Sequence, residues 1–200
     1  MNPWLDLIQN TRELLRGNPF LLLVLITLPL LATAYFRRIY PGKQFVLWAL
    51  LPCALTLPLI LHRELLSVVI ALDLAVALFA IADLVSLPKE HEFSIERGCQ
   101  RIASLRQKHH VVLTVIHTGH RARRVGLQDG IPQEFEVTPS RFHLTLGPRS
   151  RTTLHYEFKP LRRGAFVLER IYLRLQSRFG FWQRYVEKPV RSTINVYPDM

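Results

Sequence analysis

The sequence predicts a membrane α-helical anchor of three transmembrane helices followed by an all-β domain, an immunoglobulin-like antiparallel sandwich. Three observations predict it. Apolar runs at Phe20–Phe36, Phe45–Leu61 and Leu65–Leu87 fill most of the first 87 residues, with Asp73 and Asp83 as their only charges. After them come short segments of alternating and β-branched residues separated by turn signals. The charge is unevenly divided along the chain: residues 88–200 hold 20 of the 26 Lys and Arg but 10 of the 15 acids, a net of +10 out of +11.

The boundaries follow from composition as an N-terminal segment at 1–18, the anchor at 19–87 and the sandwich domain at 93–198. At 1.5 Å per residue the first two runs cover about 25 Å and the third about 34 Å, against a hydrocarbon core of roughly 30 Å. Interfacial Tyr35, Phe36 and Trp48 help the shorter runs to span. A cleaved signal peptide is the rival reading of the first run, since Ala32-Thr33-Ala34 has the small-x-small pattern. Asp6 and Glu13 balancing Arg12 and Arg16, and Arg37-Arg38 directly after the run, weigh against it. Arg37, Arg38 and Lys43 share one side with Lys89, Arg97 and Arg101, so the positive-inside rule places the carboxy-terminal domain in the cytoplasm.

In the β domain, His110–His117 is a dense β-branched run suited to a central strand. Thr152–Phe158 alternates, with Leu154, Tyr156 and Phe158 on one face. Further strands are expected at Phe166–Leu175 and Arg191–Tyr197, with shorter ones at Arg124–Leu127 and Phe142–Leu146. The turns between them are Asp129-Gly130-Ile131-Pro132, Gly147-Pro148, Arg163-Gly164 and Phe179-Gly180. Gly164 can supply a positive φ for the chain to fold back, leaving Arg162 and Arg163 projecting into solvent or toward an acidic partner.

A basic domain beside a bilayer is drawn to anionic lipids at roughly 1 kcal/mol per well-placed cation. Nucleic acid is not the expected partner. Arg121-Ala122-Arg123-Arg124 is its best candidate, but no recognition-helix pattern or run of interleaved aromatics accompanies it. Cys53 and Cys99 are the two cysteines; a disulfide between an intramembrane and a surface position is disfavoured, which fits a reducing compartment.

The chemistry is mostly absence. No Gly-rich phosphate loop, GxSxG, HExxH or paired CxxC occurs, so no catalysis, cofactor or metal is expected. His109, His110, His117 and His120 flank one strand without the acids or thiols that would complete a metal set. Arg97 and Arg101 beside Cys99 favour a thiolate, but no histidine stands at a spacing that makes a dyad. Asp73 and Asp83 are the intramembrane polar candidates. A charge at Asp73 costs roughly 2.5 to 3.5 kcal/mol at mid-bilayer, so Asp73 is expected to be protonated or paired with Thr27, Thr33 or Thr56.

Several motifs in order carry a family resemblance. They are Ile81-Ala82-Asp83, Ile95-Glu96-Arg97, Leu127-Gln128-Asp129-Gly130-Ile131-Pro132-Gln133-Glu134-Phe135, Pro160-Leu161-Arg162-Arg163-Gly164-Ala165-Phe166, Ser177-Arg178-Phe179-Gly180-Phe181 and Val196-Tyr197-Pro198. Over roughly residues 45–198 the chain resembles the bacterial domain-of-unknown-function 58 family. The resemblance implies a multi-pass protein of the bacterial inner membrane whose partners are a MoxR-type AAA+ ATPase and a transglutaminase-like membrane protein. Members of that family continue past the last motif into a von Willebrand factor A-like domain, which this sequence lacks, so it reads as a truncated fragment or a shortened protein. The function expected is that of an adaptor or chaperone-like assembly module, with Arg162 and Arg163 as partner contacts. An ion- or small-molecule-handling protein using Asp73 and Asp83 is the alternative, and a lipid or nucleic-acid binder acting through the basic face is the weaker one.

Overall fold

The computed structural model describes residues 35, 38–55 and 66–198. The chain divides into two compact units, Met1–Tyr40 and Pro41–Met200, with a three-residue strand β1 (Ile39–Pro41) at the division. The second unit begins with two helices, α1 (Lys43–Leu55) and α2 (Leu66–Val85), which pack against each other. After α2 a single 3-10 turn at Glu90–Glu92 leads into the strands.

Two sheets face each other in a β-sandwich. One is β2 (Phe93–Cys99), β4 (His109–His117), β8 (Ser150–Pro160) and β6 (Phe135–Thr138), paired antiparallel in the order β2-β4-β8-β6. In the other, β10 (Trp182–Tyr197), β9 (Gly164–Gln176), β5 (Arg123–Asp129) and β7 (Phe142–Leu146) run antiparallel in that order. A short β3 (Ile102–Ser104) joins β10 in parallel, from Asn195 to Tyr197.

The period-two pattern explains the core. Val111, Leu113 and Val115 of β4 point inward with Tyr156 and Phe158 of β8, and meet Val125 and Leu127 of β5 and Ile171, Leu173 and Leu175 of β9. Phe135 bridges Phe158 and Phe166 edge-on, at 5.3 and 4.8 Å between ring centres. β10 is twice the length expected from Arg191–Tyr197, because its first half pairs with the far half of β9. Its register shifts between Pro189 and Ser192. Proline cannot donate to the ladder, so a bulge is the low-cost solution at that point. Gly164 does take a positive φ, +144°, yet β8 and β9 do not form a hairpin; the Leu161–Arg163 turn hands the chain from one sheet to the other.

The three-helix membrane anchor is not what the structure holds, and with it falls the expected multi-pass placement in the bacterial inner membrane. Among the described residues, no helix is long and apolar enough to cross a membrane. The 13 residues of α1 reach about 20 Å. The last turn of α2 is taken up by the sandwich, where Ala80, Asp83 and Leu87 are buried. The part of α2 before Ala80, residues 66–79, covers about 21 Å against roughly 30 Å, with Asp73 exposed in it. The first apolar run apart from Tyr35, the end of the second and the proposed partners Thr27, Thr33 and Thr56 lie outside the described residues.

Candidate functional site

The most densely bonded polar site lies where α2 ends against the hairpin between β9 and β10. Asp83 is 2% exposed. A carboxylate near a helix C-terminus faces the negative end of the helix dipole and must be compensated there. Four donors do so: the hydroxyls of Ser177 at 2.5 Å and Ser86 at 2.8 Å, and the backbone N–H groups of Phe179 and Phe181, both at 3.1 Å. Four is about the acceptor capacity of the group.

The helix end itself is capped by the same neighbourhood. Trp182 Nε1 donates to the Ala80 carbonyl at 2.7 Å and Arg123 to the Ser86 carbonyl at 2.7 Å, while the single Ser86 hydroxyl proton is shared between the Asp83 carboxylate and the Asp83 carbonyl, the latter at 2.7 Å. Ser177 Oγ also accepts from Trp182 N at 3.0 Å, and Ser86 Oγ from Arg178 N at 2.9 Å. The hairpin can turn back on Asp83 because Gly180 sits at φ +80°. Phe181 then inserts between the helices, with ring centres 5.9 Å from Phe45 and 5.1 Å from Phe79. Gly42, just before α1, donates to the Phe181 carbonyl at 2.6 Å, and any Cβ there would collide with the Gly180 carbonyl oxygen.

A second polar cluster is buried within the sandwich. Arg97 of β2 binds the Asp129 carboxylate through two nitrogens, Nε at 2.9 Å and the other a close terminal contact. Its remaining terminal nitrogen donates to the carbonyls of Val190 at 2.7 Å and Leu168 at 3.1 Å. Val190 lies where the β10 register shifts, between Pro189 and Ser192. Tyr156 donates to Asp129 at 2.6 Å. Burial first, and then the adjacent Asp129 carboxylate, push the Tyr156 phenol far above its usual range. The cluster ties β2 and β8 of one sheet to β5, β9 and β10 of the other.

His117 is buried, stacks on Phe93 at 4.9 Å and donates from Nδ1 to the Gly147 carbonyl at 2.7 Å. Its Nε2 lies 3.9 Å from Glu92. His109 bonds the backbone of Ser104. No group of three or more His, Cys, Asp or Glu converges as a metal site among the described residues. The Cys99 thiol is free and half-buried.

The residues singled out in the sequence separate widely. Asp73 is exposed on α2 while Asp83 is buried, ten residues and about 15 Å further along the axis, so the two do not form one site. Arg162 and Arg163 stand exposed in the turn between β8 and β9. Arg121, Arg123 and Arg124 converge with Arg178 along a groove. Sequence reasoning missed Ser177, Arg97, Asp129 and Tyr156 as functional or structural polar residues. The signal was present, since all but Tyr156 fall within the motifs quoted above, but motifs do not state their pairing.

No protein-family model matches the chain, and no curated protein matches it significantly. Solved structures do match part of the chain. One is the CARDB domain of the PF1109 protein from Pyrococcus furiosus, in complex with di-metal ions, at 10% identity and a TM-score of 0.37, covering 57% of this chain and 97% of that one. A fragment of native alpha-2-macroglobulin from Escherichia coli, from domain MG7 to the C-terminus, is 17% identical with a TM-score of 0.44, covering 56% and 17%. A FixG-related protein from Vibrio parahaemolyticus is 11% identical with a TM-score of 0.37, covering 52% and 96%. At those scores the likeness carries nothing about ligand, partner or activity.

Proposed function

We propose that this chain is an assembly or adaptor module that acts by contact with a partner protein, the resemblance to the domain-of-unknown-function 58 family making a MoxR-type AAA+ ATPase that partner. One observation carries the reading. The Asp83 site fixes α2 to the sandwich while leaving Leu74, Leu78, Ile81 and Val85 of α2, and Val46, Leu47 and Leu50 of α1, exposed. Leu74, Leu78, Ile81 and Val85 recur at helical spacing on one face of α2, and an exposed apolar face of that kind marks a site that another surface covers. The polar clusters support contact rather than catalysis, because Asp83, Arg97, Asp129 and Tyr156 are each saturated by structural partners. A transglutaminase-like membrane protein is the second partner that the resemblance suggests.

Retention of the ATPase on the immobilised 200-residue chain at low ionic strength tests the proposal. The double variant Arg162→Glu and Arg163→Glu should weaken retention and make the residue of binding less salt-sensitive, since exposed charges act through screened attraction. Replacing Leu78 and Ile81 by Ser should abolish it. Failure of the unmodified chain to retain the ATPase at any ionic strength would remove the adaptor reading.

A further inference from the structure

The Asp83 site has a second face. Directly behind the hairpin, a groove of about 540 Å³ is lined by Arg121, Arg123, Arg124 and Arg178, with Thr145 and Gln176. No carboxylate lines it, and none of the four arginines is ion-paired among the described residues. Four guanidinium groups without a carboxylate among them line one concavity, and their summed positive potential attracts an anion to it. Arg123 adds an unmet valence: one terminal nitrogen caps the Ser86 carbonyl, while its Nε is buried with no hydrogen-bond partner.

We propose that this groove is a binding site for a compact anion carrying two or more phosphate groups. The volume suits a small ligand. Phosphate rather than carboxylate follows from the donors: each guanidinium presents a rigid fork, and a phosphate group supplies more acceptor oxygens and more charge in the same volume. A compact ligand rather than a nucleic-acid strand follows from the lining, which holds no aromatic side chain on which bases could stack. Arg178 lies just beyond one end of β9 and Arg162-Arg163 just before the other, and the 13 residues between cover about 43 Å, so Arg162 and Arg163 stand outside the groove. Arg178 is also part of the hairpin that holds Asp83, so an anion drawn to it tightens the wall of the helix clamp.

The 200-residue chain is titrated calorimetrically with tripolyphosphate, citrate and a 16-nucleotide oligothymidylate at one matched ionic strength. Tripolyphosphate should bind at least tenfold more tightly than citrate. Arg121→Glu with Arg124→Glu, both exposed and free of the Ser86 contact, should lose at least tenfold, while Arg162→Glu with Arg163→Glu should bind as the unmodified chain does. Thermal unfolding without ligand confirms that both double variants fold. Equal loss in the two variants, equal affinity for citrate, or no tripolyphosphate binding would each overturn the site. Tight binding of the oligonucleotide without tripolyphosphate would overturn it in favour of nucleic acid.

Discussion

The hydroxyl of Ser177 lies 2.5 Å from a carboxylate oxygen of Asp83, joining residues 94 positions apart across the junction of α2 and the sandwich. Because Phe179, Phe181 and Ser86 complete the carboxylate, the last turn of α2 is held by polar contacts where the rest of the helix exposes apolar side chains. A buried acceptor with four donors is costly to lose, since each donor left unpaired carries its own desolvation penalty.

Asp83→Ala should therefore destabilise the protein by about 3 kcal/mol in urea unfolding. Asp83→Asn should cost about 1 to 3 kcal/mol, because its NH2 group is turned toward donors. Hydrogen exchange locates the effect: the Phe179 and Phe181 amides should exchange faster while Val111, Leu113 and Val115 stay protected. Unchanged exchange at the two hairpin amides would show that the carboxylate does not hold the hairpin.

Arg97→Met should cost about 3 to 5 kcal/mol, since it leaves Asp129 buried without its cation. Replacing the cluster together, as Arg97→Met with Asp129→Leu and Tyr156→Phe, should recover most of that loss. The comparison is made by chemical denaturation of the single and triple variants, and equal destabilisation would mean that the cluster contributes through packing and not through charge pairing.

Tyr156 gives a pH dependence with a definite sign. Its phenol is raised above the ordinary value of 10.0 by burial and by Asp129. The unfolded chain thus loses this proton first as pH rises through about 10, binds fewer protons than the folded chain, and is favoured. Stability should be fully present below pH 10 and decline above it. Tyr156→Phe should cost about 1.5 to 3 kcal/mol at neutral pH and flatten the decline between pH 10 and 11.5 in urea midpoints. An equal slope in both proteins would assign the alkaline loss to other groups.

Period-two alternation and turn residues made most of the sandwich legible, because side chains in a half-buried strand are sorted by face through local geometry alone. The expected strand at His110–His117 became β4 (His109–His117), and Phe142–Leu146 became β7 with the same limits. Strands with weaker apolar signals, β2 and β6, were not foreseen, and β10 was foreseen only in its second half. Hydropathy also overreached at the amino-terminal side. It registers how apolar Leu65–Leu87 is and cannot register that Ala80 and Asp83 are bonded by groups of a distant hairpin and the strand after it.

What the sequence determined by itself is local: strand periodicity, the turn at Gly164 and the basic carboxy-terminal half. Tertiary structure alone decided how the motifs meet. Ile81-Ala82-Asp83 lies in the grip of Ser177–Phe181, Arg97 pairs with Asp129, and Gly164 faces Val196 in the ladder. It also drew Arg121, Arg123, Arg124 and Arg178 to one groove while leaving Arg162 and Arg163 at the opposite end. The physical reason is that face and turn are set by neighbours a few residues away. The partner of a buried charge is set by strand order and register, which close loops of 32 to 98 residues in these contacts and leave no periodic trace in the chain.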